Sequence, residues 1–263
     1  MVARGDEVTI SESHSTAHVK SLPLVLVHGF LSGSDYWSDV IETLRQKREV
    51  IAINLQGFGE RCHEPALDNV AAFANDVLEK LDAMGVKHFS LLGHSMGGMI
   101  AQEMAYKAPK RVRAMILFGT GAEGELPGRF EPIAESRRKV EIEGKLPTIA
   151  AIVPNWYLDG RQSAWYLSSF ALAEKADVEA IKGGLTAMEA WCGVDYLAHY
   201  EMPCLILWSD RDRVYPFSQE KRLWEGIAGA QLAVIPNAGH NAHHEKPLIF
   251  CSFVNDFLNE LTD

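Results

Sequence analysis

The sequence predicts an α/β fold with a mostly parallel central sheet and helices on both of its faces. Short, continuous apolar runs indicate strands that are buried on both faces. Segments with helical periodicity lie between most of these runs, and such an alternation places helices on both sides of one sheet. The runs occupy residues 22–27, 50–55, 89–92, 112–118, 204–208 and 231–235.

Helices are predicted where apolar residues recur with a period near 3.6. The helix expected at residues 70–84 ends at Gly85, and the helix at 96–108 ends before Pro109, which cannot donate a backbone hydrogen bond. Further helices are expected at 37–47, 217–227 and 246–261. Ligands bind at the carboxyl ends of the strands in folds of this kind, so we expect a functional site in the loops there.

One long stretch, residues 121–200, interrupts the alternation because it carries no strong strand signal. It predicts a helical cap inserted after the sixth strand, with residues 1–120 and 201–263 forming the core domain. Several aromatic residues fall in the cap, and packing of the cap onto the core would explain most of them. We nevertheless expect three tryptophans to roof the site and bind substrate: Trp156, Trp165 and Trp191.

The composition is that of a globular protein and disfavours polyanionic partners. Of 263 residues, 47% are hydrophobic and 23% charged, and 35 acidic against 25 basic residues give a formal charge of -10. A nucleic acid or an anionic membrane requires a basic surface. We therefore expect a small-molecule substrate, no nucleic acid or membrane partner, and a monomer or small homo-oligomer.

The four cysteines show none of the paired spacing of a zinc site, so we expect reduced thiols, no metal and no cofactor. The first residues lack the apolar core of a signal peptide, and no apolar run approaches the roughly 18 residues that span a bilayer. A cytoplasmic protein is the expectation.

A serine between glycines, Gly93-His94-Ser95-Met96-Gly97-Gly98, directly follows the third apolar run and precedes a predicted helix. At a sharp turn from strand to helix the serine adopts a strained conformation that only small neighbours tolerate. Such a nucleophile elbow exposes the hydroxyl of Ser95 for attack on an acyl carbon.

Candidates for the base and the acid that a serine nucleophile needs lie downstream. Asp210 and Asp212 are in the loop after the fifth run, and His240 follows the last run. The order Ser, Asp, His differs from that of the chymotrypsin and subtilisin types.

With these motifs the chain resembles the α/β-hydrolase fold family, in particular its capped, single-domain esterases, lactonases and carbon-carbon hydrolases. The resemblance covers nearly the whole length. The family pattern Gly-x-x-Asp-x-Val-x-Pro maps the acid onto Asp212, with Ser209 in place of the first glycine, and Gly-His-x-x-x-x-Glu-x-Pro is matched from Gly239 to Pro247. The resemblance implies Ser95, Asp212 and His240 as catalytic residues.

The oxyanion of a tetrahedral intermediate needs two backbone donors that are already in place. Met96 N–H follows the nucleophile directly. The resemblance implies Phe30 N–H as the second donor, because Phe30 follows a His28-Gly29 pair. The side chain of Phe30 is also expected to bind substrate.

Several residues have two interpretations at this stage. Arg61, in a departure from the family's Asp-x-x-Gly-x-Gly-x-Ser pattern, could bind a substrate carboxylate or pair with a surface acid. His28 and His94 are expected to fix loops, and the spacing of His240, His243 and His244 gives only a weak case for a metal.

The sequence thus predicts a serine hydrolase acting on a small ester, lactone or similar acyl substrate. The alternatives within the fold are a carbon-carbon hydrolase, a perhydrolase or a lyase. The alternative from another class is a ligand-binding receptor that does not turn its ligand over.

Overall fold

The chain is organised around a central parallel sheet. The computed structural model describes residues 22–124 and 127–261. The strand order of the sheet is β2-β1-β3-β4-β5-β6, and every neighbouring pair is parallel. The predicted α/β class with its parallel sheet is confirmed. The strands are β1 (Leu24–Val27), β2 (Val50–Ile53), β3 (Phe89–His94), β4 (Val112–Phe118), β5 (Cys204–Ser209) and β6 (Gln231–Ile235).

Helices cover both faces of this sheet. Those next to the sheet are α1 (Ser38–Arg45), α2 (Val70–Ala83), α3 (Met96–Lys107), α8 (Phe217–Gly226), α9 (Ala242–Glu245) and α10 (Pro247–Asn259). The helix expected at 246–261 is α10, which begins at Pro247 and ends at Asn259, and the short helix α9 precedes it. None of the helices in the described ranges has the length and apolar character of a membrane-spanning helix.

Alternation along the strands divides the core into two layers. In β1, Val25 and Val27 pack with the residues of α2 and α3, whereas Leu24 and Leu26 pack with those of α1 and α10. Successive side chains of a strand point to opposite faces, so a continuous apolar run is what a strand between two helical layers requires.

The last strand is the exception to the prediction of burial on both faces. β6 forms one edge of the sheet, and Gln231 and Val234 are exposed. An edge strand has a neighbour on one side alone, so the helices cover it less completely than the central strands.

Residues 121–200 contain the remaining helices of the described chain and lie between β4 and β5. The segment follows the fourth strand of the described residues, and residues 1–21 of the predicted core domain lie outside the described residues. We call it the helical segment; its helices are α4 (Ile133–Glu143), α5 (Lys145–Ile152), α6 (Tyr166–Glu174) and α7 (Val178–Ala190).

The entry and exit of the helical segment are hydrogen-bonded to each other. Gly124 N donates to Trp191 O and Gly193 N donates to Ala122 O, each at 2.8 Å. The chain must enter and leave an inserted unit at neighbouring positions, and this short antiparallel pairing holds the two connecting segments side by side. The division into a core domain and a cap domain stays a prediction.

Candidate active site

Ser95 occupies a strained turn between β3 and α3. Its φ and ψ angles are 57° and −123°, a region that residues with a side chain rarely adopt. Hydrogen bonds fix the peptide groups on both sides: Ser95 N donates to Phe118 O at 3.0 Å, and Thr120 Oγ1 donates to Ser95 O at 2.7 Å. The strain is therefore held by the neighbouring strand β4 and the loop after it.

Two glycines of the elbow are required by close approach of the backbone. A Cβ atom on Gly97 would overlap the carbonyl groups of Val27 and His28, and one on Gly93 would overlap the carbonyl of Gly97. The absence of side chains lets the start of α3 pack directly on the end of β1. The elbow and the loop after β1 are thereby brought together.

The loop after β1 lies against the nucleophile. A Cβ atom on Gly29 would be 3.1 Å from Ser95 Cβ, and Phe30 lines the same cavity as Ser95. Met96 is the first residue of α3, so its N–H has no acceptor within the helix and lies at the positive end of the helix dipole. The two donors predicted for an oxyanion, at Phe30 and Met96, thus belong to segments that flank Ser95.

Asp212 and His240 meet across two loops, one after β5 and one after β6. Asp212 Oδ2 lies 2.8 Å from His240 Nδ1, and both side chains are almost completely buried. Asp212 Oδ1 accepts hydrogen bonds from Val214 N and Tyr215 N at 2.7 and 3.0 Å. A carboxylate in this place favours the proton on Nδ1, which leaves Nε2 of His240 free to accept one.

Asp210, the other candidate acid, has a different partner. Its Oδ1 accepts a hydrogen bond from Asn237 N at 2.7 Å, which ties the loop after β5 to the loop after β6. Of the two carboxylates, Asp212 is the one in contact with His240.

The ring of His240 contacts two other rings, those of Tyr215 and His94. Tyr215 stacks on it at a centroid distance of 5.6 Å and an interplanar angle of 16°, and the ring of His94 lies 4.4 Å from it. His94 Nε2 is 3.1 Å from His240 O. His94, which the sequence predicts to fix the loops next to Ser95, thus also contacts the loop of His240.

The loop of His240 is also fastened to the helical segment. Glu245 accepts hydrogen bonds from Gly239 N at 2.6 Å and from Leu158 N at 2.8 Å, and Asn241 N donates to Trp156 O at 3.0 Å. These bonds fix the position of the helical segment above His240.

His28 fixes the loop after β1 through contacts of both of its ring nitrogens. Its Nε2 accepts from Leu55 N at 3.0 Å, and its Nδ1 is 2.7 Å from Gly29 O. Burial lowers the pKa of His28 from 6.5 to about 4, against the opposing effect of the Gly29 hydrogen bond. The folded chain thus keeps this ring neutral under conditions in which the unfolded chain binds a proton.

We expect the stability of the protein to fall as the pH drops from about 6.5 to about 4. The folded pKa of His28 is below the unfolded one, so the unfolded state gains protons first, and this residue alone accounts for at most about 3 kcal/mol. Urea unfolding at pH 7, 6 and 5 measures the slope. His28→Gln, whose amide oxygen can still accept from Leu55 N, should give a shallower slope. The exposed His88→Gln should match the wild type; equal slopes for all three chains would contradict the prediction.

A cavity of about 410 Å³, counted with its opening to solvent, lies over Ser95 and His240. Most of its wall is apolar or aromatic. The lining residues are Gly29, Phe30, Ser32, Tyr36, His94, Ser95, Arg129, Ile133, Ile152, Trp156, Met188, Val214, Tyr215 and His240.

The three tryptophans predicted to bind substrate are placed differently. Trp156 lines the cavity, but Trp165 and Trp191 do not. Trp165 Nε1 donates to Asp39 at 2.7 Å, and the Trp191 indole is buried with Nε1 3.4 Å from Glu103. Both indoles thus join the helical segment to the core, so a role in substrate contact is retained for Trp156 alone.

Arg61, for which the sequence allowed two roles, is paired with acids. Its guanidinium forms ion pairs with Glu64 and with Asp76, at 2.5 and 2.6 Å. It is not among the residues that line the cavity over Ser95. The interpretation as a partner of nearby carboxylates is the one that the structure supports.

Four polar residues of the cavity were not predicted from the sequence: Ser32, Tyr36, Arg129 and Tyr215. Tyr215 lies three residues after Asp212, so the position of that acid could have pointed to it. Arg129 lies in the loop between β4 and α4, and no local pattern marks it.

Within the described ranges, no group of three or more His, Cys, Asp and Glu side chains is arranged to hold a metal ion.

Comparison with known families agrees with the fold. The model of the α/β hydrolase fold family matches residues 23–247. The chain therefore belongs to the α/β-hydrolase fold family, and it is similar to hydrolases of that family. One relative, a 2-hydroxymuconate semialdehyde hydrolase of Pseudomonas sp. (strain CF600), is 30% identical over 262 residues, which cover 90% of this chain and 87% of the relative.

Solved structures give the same assignment. A thermophilic esterase from Thermogutta terrifontis, solved with malate bound, superposes with a TM-score of 0.83 at 26% identity and covers 92% of this chain and 90% of its own. The enol-lactonase from Burkholderia xenovorans LB400 gives 0.84 at 22% identity, covering 92% and 93%, and shows the shared fold.

Proposed function

We propose that this chain is a serine hydrolase that cleaves a small carboxylic ester, lactone or similar acyl substrate through an acyl-enzyme on Ser95. The contact between Asp212 and His240, next to a serine held in the strained turn, is the observation that carries the proposal. A neutral imidazole with a free Nε2 is the base that a serine hydroxyl needs at neutral pH.

In the proposed first step, His240 Nε2 takes the proton of Ser95 Oγ as the oxygen attacks the carbonyl carbon. The negative charge that develops on the carbonyl oxygen is stabilised by Met96 N–H and Phe30 N–H. The protonated His240 then gives its proton to the leaving group as the bond to carbon breaks. Asp212 keeps the imidazole oriented and stabilises its positive charge.

In the second step, water attacks the acyl-enzyme. His240 again acts as the base, the second oxyanion is stabilised by the same two N–H groups, and Ser95 Oγ leaves with the proton that His240 returns. The helical segment is the proposed cap that closes the cavity. The wall of the cavity includes Trp156 from this segment and Phe30 from the loop after β1. No cofactor is required for these steps.

Covalent labelling with a fluorophosphonate is the direct test. The probe phosphorylates a serine oxygen that an adjacent base activates, and we expect mass spectrometry to find the adduct on Ser95 in the folded protein. Ser95→Ala and heat-unfolded wild type are the blanks. A protein that binds ligands without turning them over would remain unlabelled, and that result would remove the proposal.

The second candidate is hydrolysis of a carbon-carbon bond. It is favoured by the 30% identity with the 2-hydroxymuconate semialdehyde hydrolase. A panel of esters, lactones and ring-cleavage diketones, each measured with Ser95→Ala as the blank, separates the two. Turnover confined to the diketones would replace the ester assignment with the second candidate.

A further inference from the structure

One cationic side chain lines the cavity over Ser95. Among the described residues of the cavity wall, Arg129 is the only lysine or arginine, and none is an aspartate or glutamate. Arg129 Nη1 donates to Glu131 O at 2.5 Å, and the guanidinium lies 4.2 Å from the centre of the Phe130 ring. The charge is thus held in place by a backbone carbonyl and a ring.

No carboxylate of the described chain forms an ion pair with Arg129. The carboxylate of its neighbour Glu131 is used elsewhere: it forms an ion pair with Lys139 and accepts a hydrogen bond from Ser136. The exposed Arg138, in the same helical segment, is paired with Glu135. Arg129 therefore differs from Arg61 and Arg138, which have acidic partners.

The partial burial of this charge, which has no ion-pair partner among the described residues, is unfavourable. Removal from water lowers the pKa of Arg129, and Tyr215 and Glu131 oppose that effect without cancelling it. A charge taken from water without a counter-charge destabilises the folded state, and an anion that enters the cavity would relieve that cost. Such an arrangement is typical of a binding site for an anionic group.

The free edge of the guanidinium favours a carboxylate. Glu131 O occupies Nη1, which leaves the edge formed by Nε and Nη2 without a partner in the described residues. Two parallel N–H groups match the two oxygens of a carboxylate. The same cavity is also lined by Ile133, Ile152 and Met188, whose apolar side chains fit a short apolar chain and carry no hydrogen-bond donors.

Tyr215 lines the same cavity as Arg129 and Ser95. Its phenol lies beside the Ser95 side chain, and it also interacts electrostatically with Arg129. Burial raises the pKa of Tyr215, so the phenol stays neutral and leaves Arg129 as the partner for an anion. A carboxylate on Arg129 would therefore lie in the same cavity as Ser95 and Tyr215.

We propose that Arg129 binds a carboxylate of the substrate, so that the preferred substrates are esters or lactones that carry a carboxylate a few bonds from the scissile carbonyl. This inference rests on the proposed hydrolase function and names its substrate class.

Matched substrate pairs test the proposal. The first pair, monoethyl glutarate and its neutral terminal amide, differs by a charge in the acyl part. The second pair, 4-acetoxybenzoate and 4-acetoxybenzamide, differs by a charge in the leaving group. We expect the wild type to prefer the anionic member of at least one pair. Arg129→Gln should lower kcat/KM for that anion by about 10- to 100-fold, mainly through KM, and leave the neutral ester within about twofold. The kcat/KM of Arg129→Lys for the anion should lie between those of the wild type and Arg129→Gln.

The control is Arg138→Gln, which removes a charge from the same helical segment outside the cavity and should leave both substrates unchanged. Turnover of the neutral ester shows that each variant is folded. Equal losses on the anionic and neutral esters, or no loss on either, would overturn the proposal.

Failure of the hydrolase function can be told apart from failure of the anion site. If Ser95 is not labelled by the fluorophosphonate and no ester is cleaved, calorimetric titration with glutarate still measures the anion site. Binding to wild type that weakens at least tenfold in Arg129→Gln supports the site. Equal or undetectable binding to both proteins overturns it.

Discussion

Alanine in place of Ser95 is expected to lower kcat for an activated ester such as 4-nitrophenyl acetate by about 10⁴- to 10⁶-fold. The substitution removes the oxygen that forms the acyl-enzyme and leaves the donors at Phe30 and Met96 in place. A small residual rate above the background in water is therefore expected, because those donors still stabilise an oxyanion. Stopped-flow or steady-state measurement of nitrophenol release gives the ratio. Turnover within tenfold of the wild type would contradict the nucleophile assignment.

The control for this variant comes from the backbone of the elbow. Alanine has the same Cβ atom as serine and must adopt the same φ of 57°, so Ser95→Ala should unfold at the same urea concentration as the wild type. Ser95→Gly should be equally inactive but more stable, by about 1 kcal/mol, because glycine adopts this conformation without strain. Activity and stability would thus change in different directions, which excludes misfolding as the cause of inactivity.

The parts of the site that could be predicted from the sequence are those set by short segments of chain. Gly93 and Gly97 flank Ser95 at a spacing that a tight turn from strand to helix requires, and the structure uses both for close approach of the backbone. The loops of Asp212 and His240 follow apolar runs, and the carboxyl ends of parallel strands lie at one edge of a sheet. Local pattern and topology together placed these residues near one another.

The packing of the helical segment could not be predicted in this way. Trp156, Trp165 and Trp191 look alike as aromatic residues of one segment, yet Trp156 alone lines the cavity. Which face of a helix meets the cavity depends on how several helices pack on the core, and this is a tertiary property. The same holds for Arg129: that no acidic residue of the described ranges pairs with it is visible once Glu131 is seen to pair with Lys139.

Asparagine in place of Asp212 should lower kcat for the same ester by about 10⁴-fold with little change in the fold. The geometry gives the reason. Val214 N and Tyr215 N both donate to Oδ1, so the carbonyl oxygen of an asparagine amide would stay there and its NH₂ group would face His240 Nδ1. An amide donor at that place puts the imidazole proton on Nε2, and His240 in that tautomer cannot take the proton of Ser95.

Asp210→Asn is the matched control, since it removes the same charge two residues away. The amide oxygen of this asparagine can still accept from Asn237 N, so the two loops stay connected and kcat should change by no more than about threefold. Rates for both variants at pH 7 to 8, with urea unfolding as the check on the fold, give the comparison. A larger loss from Asp210→Asn than from Asp212→Asn would mean that His240 is oriented by a different carboxylate in the working enzyme.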